Sequence, residues 1–119
     1  MANEIEEYSA DMDIWLTIKL ALPNEWSPTE VCTGIQIDEG KLIIFGGSDI
    51  NVEDTSSCYE FDSETYSIKK IADLVIPHVF VNYPFFYGNQ VFALGNEYYV
   101  KQWKIQRYDI EKNEWSVIY

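Results

Sequence analysis

Apolar and polar residues alternate over short runs along most of the chain, and Gly, Asn and Asp punctuate the runs at close intervals. TGIQI at 33–37 and VFVNYPFF at 79–86 alternate in this way and lead into turns at Glu39-Gly40 and Gly88-Asn89. Period-two alternation bounded by turn residues predicts half-buried strands. Two nearly continuous apolar runs follow, KLIIFGG at 41–47 and QVFALGN at 90–96, a pattern expected of strands buried on both faces. A polar loop then leads to a third strand through Tyr59 or Tyr108, a turn at 62–65 or 111–114, and a fourth strand opened by Tyr66 or Trp115. No segment carries a helical period, because β-branched and aromatic residues dominate and turn signals recur too often.

These two four-strand units are an internal repeat. A shift of 49 places Phe45 on Leu94, Gly46 on Gly95 and Gly47 on Asn96 without a gap. The same shift carries Tyr59 to Tyr108, Glu60 to Asp109, Tyr66 to Trp115, Ser67 to Ser116 and Ile68 to Val117, so the aromatic pair is seven apart in both copies. Gly46 and Gly47 suit a sharp turn at the end of an inner strand, where glycine meets no steric cost at positive φ. The Tyr and Trp side chains offer flat apolar bodies with polar tips, suited to packing between adjacent sheets.

The pattern resembles the kelch repeat, in which a double glycine follows an apolar strand and a Tyr, often in YD, precedes a Trp by about seven residues. LIIFGG…YEFDSETYSI and VFALGN…YDIEKNEWSV carry the resemblance as two full units, and Trp15 in DIWLTIKLALP looks like the Trp strand of a preceding one. Asn96 departs from the pattern where a second glycine is expected, and Tyr66 where Trp is expected. The resemblance implies an all-β chain of β-propeller blades, one four-stranded blade per repeat, and the family's usual work of protein–protein scaffolding and substrate adaptation. It divides the chain into an acidic segment at 1–13, the outer strand of a partial blade at 14–29, and kelch blades at 30–76 and 77–119. Propellers close with four to eight blades, and about two and a half are present. Three readings stand open: a piece of a longer kelch protein, a partial propeller completed by another chain or by self-association, or two blades standing alone. Open apolar sheet edges invite pairing with other chains, so self-association or a larger assembly is expected.

Composition narrows the partners. The 119 residues carry 20 Asp plus Glu against 8 Lys plus Arg, a net charge of −12, together with four Trp, nine Tyr and six Phe. That much aromatic surface is incompatible with an acidic disordered chain. A charge of this sign repels phosphate backbones, so no nucleic-acid partner is expected. Neither a membrane-spanning run nor a signal or transit peptide is read from the sequence. Cys32 and Cys58 form no CxxC pair and read as small buried hydrophobes in a reduced compartment, so a cytoplasmic location, in association with the cytoskeleton or another assembly, is expected. Residues 1–64 hold 15 acids and 2 bases, whereas 65–119 hold 5 acids and 6 bases.

Candidate chemistry is sparse. Asp49, Asn51, Glu53 and Glu60 follow the spacing of an EF-hand loop, but Asp54 stands where the turn needs Gly and no helix flanks it, so a solvated acidic loop is expected. His78 is the single histidine and reads as structural, which leaves no triad or multi-His metal site; no cofactor is expected. The copper-radical oxidases that share kelch-type propellers need two His ligands. The better lead is the pair of loops joining second to third strands: Asp49, Glu53 and Asp54 in one, and the aromatic, basic stretch EYYVKQWKIQ (97–106) in the other. Tyr98, Tyr99, Lys101, Trp103, Lys104 and Arg107 together with the acidic trio form the candidate partner-binding surface, since aromatic and Arg anchors dominate protein interfaces. The function expected is a non-enzymatic interaction scaffold or adaptor. The alternatives are a ubiquitin-ligase substrate adaptor, which would need an F-box or BTB segment not seen before residue 14, and a propeller enzyme completed by further blades.

Overall fold

The computed structural model describes residues 4–23, 32–47, 55–77, 80–81, 84–96 and 102–119, with the backbone alone for 80–81. Among them every regular element is a strand. The alternation at 33–37 yields β3 (Thr33–Asp38), and the apolar run after it yields β4 (Lys41–Phe45). With β5 (Cys58–Asp62) and β6 (Ser67–Ile71) they make an antiparallel sheet in chain order. A second sheet repeats the arrangement with β9 (Gln90–Asn96), β10 (Trp103–Asp109) and β11 (Glu114–Val117). Its first strand is split into β7 (Phe80–Val81) and β8 (Phe85–Tyr87), both paired to β9. Pro84 immediately precedes β8 and has no N–H to give a ladder. A third sheet is the hairpin of β1 (Glu4–Ser9) and β2 (Ile14–Lys19). The chain is therefore all-β, with three antiparallel sheets consistent with a partial β-propeller of four-stranded blades.

Turn chemistry sets the registers. Gly88 and Asn89 both have positive φ, 59° and 61°, which makes the two-residue link from β8 to β9 a type I′ hairpin. Gly40 alone is positive, at 78°, in the link from β3 to β4. The outer hairpins of all three sheets have four-residue loops: Ser9 pairs with Ile14, Asp62 with Ser67 and Asp109 with Glu114. Each loop ends on a left-handed residue, Asp13 (53°), Tyr66 (53°) or Asn113 (50°). Tyr66 thus closes a turn rather than opening a strand, as the sequence pattern suggested.

The ladders also revise the repeat alignment. Lys41 pairs with Asp62, and Gln90 with Asp109. The inner strands therefore match at 49 residues, but the third and fourth strands match at 47. Phe61 corresponds to Tyr108, Ile68 to Trp115, Tyr59 to Gln106 and Tyr66 to Asn113. The loop after β4 is two residues longer, which hides the change of offset. The ends of the inner strands differ as well. Gly46 and Gly47 turn the chain at φ of 75° and 93°, whereas β9 continues through Gly95 and Asn96, which pair with Lys104 and Trp103. The apolar runs are not buried evenly on both faces: in β9 buried and half-buried residues alternate. Cys32 is exposed, contrary to the expectation of a buried thiol, while Cys58 is buried.

The sheets stack face to face. Ile43, Phe45, Cys58 and Ile71 from one face of the first four-stranded sheet form one core with Val91, Ala93, Tyr108 and Trp115 of the second. Phe45 and Tyr108 both lie against the Trp115 ring, with centroids 5.4 and 5.1 Å away. The opposite face of the first sheet, through Tyr59, Phe61 and Ile68, packs on Ile5 of the hairpin and on Leu20 and Leu22 just after it. The segments leaving one sheet cross onto the next. Ala21 donates to the Tyr66 carbonyl at 3.2 Å and accepts from Ile68 at 3.1 Å. Ala72 N–H donates to Asn113 Oδ1 at 2.9 Å, and the buried Gln106 side chain holds Val75 and Ile76.

The hairpin is the outer half of a third unit. Tyr8 pairs with Trp15 across its strands as Tyr108 pairs with Trp115, and the two pairs lie 100 positions apart in the chain. The outer strand expected at 14–29 is thus paired with β1, which lies in the segment read as acidic at 1–13.

Candidate protein-interaction surfaces

Of the partner-binding residues anticipated from sequence, Asp49, Glu53, Asp54, Tyr98, Tyr99 and Lys101 lie outside the described residues, as does His78. The neck of the acidic loop is described: Thr55 N–H donates to the Gly47 carbonyl at 3.0 Å. Trp103, Lys104 and Arg107 all sit on β10, where strand alternation separates them. Trp103 and Arg107 point to one face with Ile105, and Lys104 to the other, opposite Gly95. Trp103 is 47% exposed, beside the loop that precedes it.

The face carrying Trp103 and Arg107 is the outer face of the second sheet. Its middle is apolar, with Phe85, Phe92, Leu94 and Ile105, and Ile118 just after β11, half-buried or exposed, while Asp109, Glu114 and Ser116 make its far end polar. Phe85 and Phe92 stack with centroids 4.7 Å apart and planes 7° from parallel. These positions are the repeat counterparts of a buried surface. Ile43 corresponds to Phe92, Phe45 to Leu94, Cys58 to Ile105 and Ile71 to Ile118. In the first sheet that face is covered by the second sheet. Its charge also differs: Glu60 is flanked by Lys69 at 3.2 Å and Lys41 at 3.7 Å, while Arg107, its counterpart, has no ion-pair partner among the described residues.

At the other end of the stack the hairpin turns Glu4, Glu6, Tyr8, Trp15 and Thr17 outward. Tyr8 is 47% and Trp15 67% exposed, whereas Tyr108 and Trp115 are 3% and 4% exposed. The Tyr8 hydroxyl donates to Asp13, which raises the phenol pKa. A groove of about 380 Å³ is lined by Ile5, Leu20, Leu42, Ile44, Phe61 and Ile68, with Glu6 and Glu7 at its polar side. It lies between the hairpin and the Leu42–Ile44 stretch of β4.

Buried titratable groups are structural in setting. Burial pushes the Cys58 thiol up to about 12. Burial, with the nearby Glu60 charge, raises the Tyr108 phenol to about 12. The Glu7 carboxylate raises the Tyr66 phenol, which donates to it at 3.2 Å. Among the described residues no three His, Cys, Asp or Glu side chains converge to hold a metal ion, and no helix is long and apolar enough to cross a membrane.

No protein-family model matches the chain. It is 30% identical over 121 residues to a RING finger domain and kelch repeat-containing protein of Dictyostelium discoideum, an alignment that takes in 98% of this chain and 11% of that protein. The chain therefore spans about a tenth of the length of the curated relative it matches. The all-β, sheet-stacked architecture fits the kelch-like resemblance seen in the sequence.

Sequence reasoning missed three features of these surfaces. Tyr8 was hidden because its partner unit lies two repeats away. The open face of the second sheet shows only when the ladders assign Phe92, Leu94, Ile105 and Ile118 to one side. Gln106 reads as an ordinary polar strand residue until its partners are seen.

Proposed function

We propose that the chain is part of a kelch-type interaction module that recognises a protein partner without doing chemistry, in the cytoplasm as part of a cytoskeletal or other large assembly. The observation that carries this reading is the likeness, along nearly the whole chain, to a kelch repeat-containing protein. The stacked four-stranded sheets support it, because stacked repeats give rigid elements from which loops can be presented. The contact surface is the pair of loops between second and third strands, with Asp49, Glu53 and Asp54 in one and Tyr98, Tyr99 and Lys101 in the other. Trp103, Lys104 and Arg107 flank the second loop and supply the aromatic and cationic anchors. A second reading, an adaptor that brings substrate to a ubiquitin ligase, draws on the RING finger domain in the name of the Dictyostelium relative.

Quantitative affinity capture from cells expressing the tagged chain tests the surface. The wild-type chain is expected to retain a defined protein that Trp103→Ala and Lys104→Glu each lose by about tenfold. Equal capture by the wild type and both variants, at unchanged stability, would overturn it. Cullin components among the captured proteins would select the adaptor.

A further inference from the structure

The contact between the two four-stranded sheets uses parts that recur, uncovered, at the two ends of the stack. One part is the aromatic face with its Tyr–Trp pair and left-handed turn residue, present as Tyr108, Trp115 and Asn113 and again as Tyr8, Trp15 and Asp13. The other is the apolar face that receives it, present as Ile43, Phe45, Cys58 and Ile71 and again as Phe92, Leu94, Ile105 and Ile118. We propose that a second copy of this chain docks head to tail, laying the Tyr8–Trp15 face of its hairpin on the open face of the C-terminal sheet.

Moving the internal contact along by one unit assigns the partners. Trp15 takes the place of Trp115 and meets Leu94, as Trp115 meets Phe45. Tyr8 takes the place of Tyr108 and lies over Ile105 and Arg107. The polar groups correspond as well. Asn113 Oδ1 accepts two hydrogen bonds, from the Tyr108 hydroxyl at 2.7 Å and from the Ala72 amide of the preceding sheet at 2.9 Å. Asp13 already accepts from the Tyr8 hydroxyl. The counterpart of Ala72 is Tyr119, whose amide on the other copy supplies the second bond. The two patches differ, so the contact is heterologous and lets copies add in series or close a ring. The receiving face includes Trp103 and Arg107 of the surface proposed above, so the variants below leave both of those residues in place.

Sedimentation equilibrium on the 119-residue chain over a concentration series tests it, using two variants at exposed positions. Trp15→Asp removes the docking face but keeps the receiving face; Ile118→Asp does the reverse. The wild type is expected to grow in mass with concentration. Each variant alone should stay at 13.9 kDa, with self-association weakened at least tenfold. An equimolar mixture should form a species of twice that mass that grows no further, because each pair has one intact contact. Circular dichroism and urea midpoints verify folding, and Trp15→Thr with Ile118→Thr replace any Asp variant that unfolds. A monomeric wild type, a self-associating Trp15 variant, or a mixture that stays monomeric would each overturn the proposal.

Discussion

Gln106 is a polar side chain with no solvent exposure, placed where the segment leaving the first sheet crosses the second. Its Oε1 accepts from the amides of Val75 at 2.8 Å and Ile76 at 3.1 Å, and its Nε2 donates to the Ile76 carbonyl at 2.8 Å. Gln106→Met keeps the length and most of the volume while removing all three bonds. A net bond is worth about 0.5–1.5 kcal/mol, and a buried group left unpaired costs about 1–3 kcal/mol. Val75 is itself exposed, so water can reach part of the crossing segment. The expected loss is then about 2–4 kcal/mol, against a total of roughly 6–18 kcal/mol for a chain of this length. Urea unfolding followed by tryptophan fluorescence reads it directly. With a slope of about 1.5 kcal/mol/M the midpoint falls by about 1.3–2.7 M. An unchanged slope would place the effect in the folded state. A loss below about 0.5 kcal/mol would refute the idea that Gln106 fastens one sheet to the next.

Other perturbations follow from the same geometry. Trp115→Ala, which empties the space between Phe45 and Tyr108, should cost about 3–5 kcal/mol, while Trp15→Ala at the exposed counterpart should cost the monomer under about 1 kcal/mol; paired urea titrations at low concentration compare them. Gly40→Ala should destabilise more than Gly88→Ala. Both sites have positive φ, worth about 1–2 kcal/mol to a side chain, but an added Cβ meets Ser63 Oγ at 2.7 Å at the first and nothing within 4 Å at the second. Cys58 and Tyr108 hold their protons in the folded chain up to about 12, above their ordinary values of 9.0 and 10.0. Their contribution to stability is complete below about pH 9 and is lost as pH climbs towards 12, because the unfolded chain gives up these protons first. Urea midpoints measured from pH 8 to 11 should fall, and Cys58→Ala should flatten the early part of the fall. At pH 8 a thiol reagent should modify the exposed Cys32 promptly and Cys58 only on unfolding.

The inner strands were legible because β4 and β9 match without a gap and each follows a turn, at Gly40 or Gly88-Asn89, that requires positive φ, although the turn expected at Gly95-Asn96 is a continuation of β9. The outer strands were legible as strands but misaligned by two, since Tyr59 and Tyr108 fit a 49-residue shift that the ladders do not follow. A Tyr seven residues before an aromatic occurs at Tyr59, where both the spacing and the offset mislead, and at Tyr8, where they hold but at a separation of 100. Pairing, rather than residue type, tells these apart. The open face of the second sheet was hidden for another reason. Phe92, Leu94 and Ile105 read as ordinary core residues, and only the position of β9 and β10 at the end of the stack leaves them half-covered. Trp103 and Arg107 were selected as loop anchors, and strand alternation places them on that same face. The separation of Lys104 from both was equally implicit in a strand register that the sequence did not reveal.

Successive sheets of the chain stack through equivalent faces. The most direct measurement is a set of inter-sheet nuclear Overhauser effects on the isotopically labelled chain. Stacked sheets give cross-peaks between the Trp115 indole and the Phe45 ring, between Val91 and Ile43 methyls, and between Ile5 and the Phe61–Ile68 pair. Cross-peaks confined within each sheet, with none between Trp115 and Phe45, would contradict it.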